Sequence, residues 1–262
     1  MKRIKGLEAS TAGLARFLAD PATEKTWDEF GSFETGAARR ELTDALAERQ
    51  HGLCAYCEID LRAGDTRVEH FVPQSDPVEG ERRACDYTNL LAVCMGGSNA
   101  AIFGPATKNP NQARFLPPVA KNLSCDAAKD DSSPIDLLDP RLVPALPSLV
   151  EVTPSGELIP DPNACAQHGI AETAVETHVR RLGLNVGRLR INRVAVWNAL
   201  QAAADEIAHV EAVALPSRLR RFASDLLLPD ANDRLSAYFT TIRSFFGPVA
   251  KGILNIPPHE WI

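Results

Sequence analysis

The chain lacks any run approaching the ~18 consecutive apolar residues that a membrane span requires, although 45% of its 262 residues are apolar. Its opening, Met1-Lys-Arg-Ile-Lys5, carries no apolar block of the secretory kind, so a cytoplasmic protein is expected. A Gly-x-x-x-x-Gly-Lys phosphate loop is absent, and with it the signal for nucleotide hydrolysis. There is no internal repeat and no low-complexity tract. Positive charge is also in short supply: 28 Lys and Arg stand against 34 Asp and Glu, a net charge of −6. That excludes a generally basic nucleic-acid sponge. It leaves room for an enzyme whose bound metal neutralises acids locally.

What is there centres on Cys54 to Lys129. Six cysteines could in principle form three disulfides, but in a reducing compartment a Cys-x-x-Cys pair is more often a metal clip or a redox site. No thioredoxin-like strand and helix surround Cys54-Ala-Tyr-Cys57, so zinc is the better reading. Zinc prefers four ligands in a tetrahedron, and thiolates hold it tightly enough to organise a segment with little core of its own. Cys94 and Cys125 are the natural second pair, although 30 residues separate them; the alternative is that one of them is simply buried. Cys85 and Cys165 have no partner in sequence and read as small buried apolar residues.

Four thiolates close a zinc site and leave it no position at which to activate water, so any catalysis must come from other residues. His70 offers a base that titrates near neutral pH, and Glu69 beside it a hard oxygen ligand suited to Mg²⁺ or Mn²⁺. Neighbours in a strand point to opposite faces, so both serve one site only if the backbone bulges or twists there. Asp126, directly after the last cysteine at the start of a helix ending near Lys129, could bring a second oxygen ligand. The amide of Asn89 can tie down the loop bearing the base, or it is an ordinary turn or cap residue.

Around this stretch the periodicity is mainly helical. Leu14, Phe17 and Leu18 mark a first helix stopped at Asp20-Pro21. Thr35 is a candidate N-cap for a helix through Ala38, Leu42 and Leu46 that ends at Gly52. A turn at Arg62–Asp65 followed by Thr66–His70 suits a two-stranded ribbon. Residues 95–124, rich in Gly, Pro and Asn, read as a long irregular insertion. Leu149–Ile159 spells a hairpin, and helices follow over Ala171–Leu182, along the seam Leu189, Val196, Leu200, Ala203, Ile207, Val210 and Ala214, after Pro216, and through Leu235, Tyr238, Phe239, Ile242 and Phe246 up to Gly247-Pro248. The expected organisation is an N-terminal helical segment (1–53), a core (54–130) and a hairpin with a helical C-terminal region (131–262). The fold class is mainly α with a small α+β core.

The order Cys54-x-x-Cys57, Glu69-His70-x-x-Pro73, Asn89-Leu-Leu, Cys94, Cys125-Asp126-x-x-Lys129 resembles the HNH endonucleases, whose ββα-metal motif is often braced by a four-cysteine zinc. More narrowly, Met1-Lys-Arg-Ile, Gly52-Leu-Cys-Ala-Tyr-Cys-Glu58, Glu69-His-Phe-x-Pro73 and Leu182-Gly-Leu-Asn185 are similar to the PtuB-type proteins of Septu and retron anti-phage defence systems. The resemblance implies His70 as general base, Glu69 and Asp126 as ligands of a catalytic Mg²⁺ or Mn²⁺, and Asn89 as the residue orienting the base loop. It further implies a nucleic-acid substrate, DNA ahead of RNA, a PtuA-type ATPase and, in retrons, a reverse transcriptase with its RNA-DNA product. Two departures stand out: the second thiol pair is split, and Asp126 stands where His or Asn is usual, which makes Asn99 a rival ligand. Lys129, Arg188, Arg190 and Arg193 are candidate contacts to nucleic acid or a partner, against the plainer reading of a solvated helix face. The reading from a different class is a non-catalytic zinc module that only binds nucleic acid or protein.

Overall fold

Thr11 opens the first helix, α1 (Ala12–Ala19), by accepting from the Leu14 N–H through its hydroxyl, and Leu14 and Phe17 are the buried face. That face lies on α3 (Ala37–Arg49), whose Ala38, Leu42 and Leu46 recur at helical spacing and are buried. Gly13 sits at the crossing, where a Cβ would fall 2.7 Å from the Cβ of Ala38; only glycine lets the two backbones approach so closely. Between them α2 (Trp27–Ser32) brings Phe30 against Phe17 and Trp27 against Phe30. Thr35 does not cap α3 as the sequence suggested. It lies in a tight turn at φ 53°, and Gly36, left-handed at φ 76°, precedes the helix. The computed structural model describes residues 2–98, 120–130, 134–210 and 215–255. Asn99, most of the 95–124 insertion, Ala214 and His259 lie outside the described residues.

The chain leaves α3 through Gly52 and enters the Cys54–Cys57 turn, closed by Cys54 N–H to the Ile59 carbonyl at 2.9 Å. Strand β1 (Thr66–His70) then pairs antiparallel with β2 (Leu90–Cys94), with Thr66 opposite Cys94 and His70 opposite Leu90. Gln50, buried at the end of α3, satisfies β2 on its other side by accepting from Ala92 N–H (2.9 Å) and donating to the Ala92 carbonyl (2.7 Å). Between the strands lies the single turn α4 (Gly80–Arg83), and after them the short helix α5 (Asp126–Lys129).

A hairpin of β3 (Val150–Val152) and β4 (Leu158–Pro160) follows where the sequence expected one. The rest is helical: α6 (Pro162–His168), α7 (Glu172–Arg181), α8 (Gly187–Val210), α9 (Leu215–Leu227), α10 (Phe239–Phe246) and α11 (Pro248–Leu254). The architecture is mainly α with small two-stranded sheets. Leu235 and Tyr238 continue the apolar rhythm but precede α10: Tyr238 is left-handed at φ 58°, and its N–H goes to the Glu58 carbonyl at 2.7 Å. Pro248 both follows the stop of α10 and opens α11.

One hydrophobic cluster joins α1, α2, α3, the cysteine turn, β1, β2, the hairpin, α7 and the start of α8; a second joins α9, α10 and α11 with Leu200 of α8 and Leu53. Glu58, next to Cys57 at the end of the turn, ties the N-terminal segment and the C-terminal helices to it. Its buried carboxylate accepts from Lys2 N–H (2.8 Å), Thr240 N–H (2.6 Å) and the Thr240 hydroxyl (2.6 Å).

Candidate functional site

Cys54, Cys57, Cys94 and Cys125 meet in one buried cluster, their sulfurs all within 4.8 Å of one another. Adjacent pairs stand 3.7 Å (Cys57–Cys94) and 3.8 Å (Cys54–Cys125 and Cys94–Cys125) apart. A tetrahedral zinc at about 2.3 Å from each sulfur would set S···S edges of about 3.8 Å, so the spacing fits that ion. Backbone N–H groups of Cys94 and Gly96 donate to Cys54 and Cys94 sulfurs, both at 3.4 Å. Burial, then the hydrogen bond with Cys54, pushes the Cys125 thiol well up. Burial acts the same way on Cys54, but hydrogen bonds from the other three thiols outweigh it and bring that group well down. Four buried sulfurs in contact therefore resist full ionisation unless a cation joins them. Cys85 and Cys165 are buried elsewhere and are not in the cluster.

Cys125 reaches the cluster on a segment threaded between two glycine turns. Gly96 (φ 61°) and Gly183 (φ 57°) have Cα positions at which a Cβ would meet the Ser124 carbonyl at 2.1 Å and the Leu123 carbonyl at 2.4 Å. Arg188 locks the same segment: its Nε donates to the Asn122 carbonyl at 2.9 Å and its Nη2 to the Ser124 hydroxyl. The sequence offered Arg188 and Arg193 as candidate contacts or as a solvated helix face; the structure places both inside, 1% and 2% exposed. Arg193 donates to the Leu184 carbonyl (2.7 Å) and the Gly156 carbonyl (3.1 Å), bracing the hairpin turn against the α7–α8 junction. Of the three, Arg190 alone is half-buried. Because Arg188 orients the segment bearing a ligand, Arg188→Met should weaken zinc retention about 10- to 100-fold. Competition with a chromogenic chelator measures this, and unchanged retention would return Arg188 to general packing.

The second concavity is an open cleft of ≈ 340 Å³ lined by Glu69, His70, Asp126 and Lys129 together with Trp27, Arg39, Arg67 and Gln74. Glu69 and His70 both face it because His70 ends β1. His70 Nε2 lies 2.8 Å from the Ala84 carbonyl, which fixes the proton on Nε2 and leaves Nδ1 as acceptor, 3.5 Å from the Gln74 amide. Trp27 stands edge-on to the imidazole at 4.6 Å. Burial holds His70 below its ordinary pKa, hence neutral at pH 7. Asn89 is wholly buried and grips the loop after His70 from both sides: it accepts from Val72 N–H at 2.8 Å and donates to the Val72 and Arg83 carbonyls at 3.0 and 3.1 Å.

Glu69 has one oxygen fully engaged. Its Oε1 receives Lys129 Nζ at 2.7 Å and the Tyr56 hydroxyl at 3.1 Å. Lys129 also donates to the His70 carbonyl at 2.8 Å. At 1% exposure it is an internal brace and not the surface contact the sequence suggested. Burial first, then the hydrogen bond and charge of Asp126, push the Glu69 carboxyl up to about 8, against the pull of Lys129. Asp126 is partly exposed and lies 2.9 Å from Arg67 Nε, an ion pair without the alignment of a hydrogen bond. Two acids thus line one open cleft, a donor set that suits a hard divalent cation. Tyr56, Trp27, Arg39, Arg67 and Gln74 were not singled out from the sequence. Only Tyr56 carried a signal, its place inside Cys54-x-x-Cys57.

No family model matches the chain. Over 186 residues it is 32% identical to the candidate HNH endonuclease of retron Ec83 from Escherichia coli, a stretch covering 63% of this chain and 67% of that protein. The chain belongs to the HNH endonuclease family. As an HNH-family protein it has, among the described residues, no helix long and apolar enough to cross a membrane.

Proposed function

We propose that this HNH-family chain is a metal-dependent endonuclease that hydrolyses phosphodiester bonds of nucleic acid, DNA ahead of RNA. On this reading it is a cytoplasmic anti-phage effector of the PtuB type found in Septu and retron systems. It works with a PtuA-type ATPase and, in a retron, with a reverse transcriptase and its RNA-DNA product. The nuclease core is residues 54–130, a zinc-stapled ββα unit, with a helical segment (1–53) before it and the hairpin and helices (131–262) after it. The observation that carries the reading is one cleft holding a neutral imidazole with its acceptor nitrogen free of the backbone, beside the carboxyl groups of Glu69 and Asp126.

His70 takes the proton from the attacking water at Nδ1, while Nε2–H to the Ala84 carbonyl keeps the tautomer and the ring plane fixed. Asn89 holds the following loop, so the base does not drift. Lys129 and Tyr56 occupy Oε1 of Glu69 and turn the other oxygen toward Asp126. Mg²⁺ or Mn²⁺ held by Glu69 and Asp126 would stabilise negative charge on the phosphate and the leaving oxygen. The four thiolates hold the structural zinc and take no part in the chemistry. The direct experiment incubates the purified protein, with and without the ATPase, with plasmid DNA and total RNA across Mg²⁺, Mn²⁺ and EDTA. Intact nucleic acid under every condition would overturn the reading.

The raised Glu69 carboxyl adds a pH signature. Below about pH 8 it is protonated, so a cation must displace that proton; above it, nothing needs to be displaced. Half-saturating Mn²⁺ for cleavage should therefore fall about tenfold per unit as pH rises toward 8, then level off. A cation requirement independent of pH between 6 and 9 would show that no proton on Glu69 competes with the cation, and Glu69→Gln would then decide whether it is a ligand.

A further inference from the structure

A polymer cut in the ≈ 340 Å³ cleft has to leave it along the protein surface. With Arg188 and Arg193 buried, the helix expected to guide it does not offer them. A second groove of ≈ 670 Å³ adjoins the cleft, and Arg39, on the first turn of α3, lines both. From the base outward the order is His70, Trp27 edge-on to it, then the Arg39 guanidinium stacked 4.8 Å over the Trp27 ring. Beyond Arg39 the groove is lined by Arg40, Arg62 and Arg234, all exposed, against the acids Asp44 and Glu48. Even counting Asp60, which pairs with Arg62, four guanidinium groups against three carboxylates leave a local positive excess on a chain whose net charge is −6.

We infer that this groove is the track for the sugar-phosphate backbone flanking the cut, with Arg39 as the hinge between cleft and track. The inference rests on the nuclease reading of the cleft. Each arginine has five N–H donors in a planar fork. Arg40 gives one to the Thr35 carbonyl at 3.3 Å, Arg62 pairs with Asp60, and Arg234 Nη2 leans on the Gly52 and Leu61 carbonyls at 3.4 Å. These contacts position the forks without using all their donors, the arrangement suited to phosphate oxygens. The contacts are to backbone phosphates, so the track is indifferent to base sequence.

The test uses the full chain carrying His70→Ala, which keeps the substrate intact, and measures binding of labelled DNA and RNA strands between 50 and 300 mM KCl. Adding Arg40→Glu and Arg62→Glu should weaken binding of strands of 20 nucleotides at least tenfold at 100 mM. The slope of log affinity against log salt should flatten by about 1.4 to 1.8, since each of the two lost phosphate contacts is worth about 0.7 to 0.9. Strands of two or three nucleotides, which fill only the cleft, should bind both proteins alike. Arg40→Lys with Arg62→Lys should keep most of the affinity, showing that charge and not folding was lost. An unchanged affinity and slope on the long strand overturns the track. If the parent chain still cleaves, the track falls alone; if the parent neither cleaves nor binds, the nuclease reading falls with it. Tight binding of an acidic peptide that nucleic acid cannot displace also overturns the track, in favour of a protein partner.

Discussion

Cys54→Ser is expected to abolish both bound zinc and the cooperative folded state. A structural zinc site contributes an apparent ~10 to 16 kcal/mol, as much as or more than the ~5 to 15 kcal/mol by which a whole native protein is stable. The four sulfurs come from three separate stretches of chain: the turn after α3, the end of β2 and the start of α5. Without the ion, four buried sulfurs are left in contact at that junction with no cation to favour their thiolate forms. The same turn carries Tyr56, which reaches Glu69, and Glu58, which anchors Lys2 and Thr240, so its loss reaches the cleft and the C-terminal helices together. Elemental analysis of the parent should give about one zinc per chain. Cys85→Ser and Cys165→Ser, outside the cluster, should keep it. A Cys54→Ser protein that is zinc-free yet unfolds with the parent's midpoint and cooperativity would show that the cluster is not a metal staple.

How much of this was legible depends on whether the chemistry was local in sequence. Cys54 and Cys57 announce themselves by spacing, and Cys94 and Cys125 by their place in the order, even with 30 residues between them. The 149–159 hairpin followed from alternation and turn residues, whereas the ribbon expected across the Arg62–Asp65 turn is not the one that forms: Thr66–His70 pairs instead with Leu90–Cys94, a strand 20 positions further on. The direction a long cation faces did not. Lys129, Arg188 and Arg193 are basic residues on helices, and the prior for such residues is a solvated face. Each is instead buried because a neighbouring segment presents bare carbonyls: His70 for Lys129, Asn122 for Arg188, Leu184 and Gly156 for Arg193. Those carbonyls are 9 to 66 positions away, beyond the reach of any periodicity. Trp27 and Arg39 were missed for the same reason, since α2 and α3 meet the cleft only after the chain has folded back on itself. Thr35 failed as a cap on simpler grounds: a left-handed Gly36 had already set the entry to the helix.

His70→Ala is expected to cut cleavage by about 10² to 10⁴-fold while leaving fold, zinc and nucleic-acid binding in place, the range a positioned base contributes. The side chain is held by Ala84, Gln74 and Trp27 and touches none of the four sulfurs, so its removal leaves the staple and the Lys129–Glu69 pair undisturbed. Asn89→Ala should act in the same direction by another route. The Val72 N–H and the Val72 and Arg83 carbonyls lose their buried partner, so activity should fall with a loss of stability of about 1 to 3 kcal/mol per group left unsatisfied. The acids behave differently. Glu69→Gln and Asp126→Asn weaken the oxygen field offered to the cation, so raising Mg²⁺ or Mn²⁺ should restore part of the rate. The His70→Ala deficit should be indifferent to metal concentration, because what is missing is a proton acceptor and not a ligand. Single-turnover cleavage measured across a metal titration, with the proposed partner ATPase present, separates the two classes. If His70→Ala cuts as fast as the parent under those conditions, the cleft is not the nuclease centre, and the stretch from Cys54 to Lys129 is a zinc-held binding module.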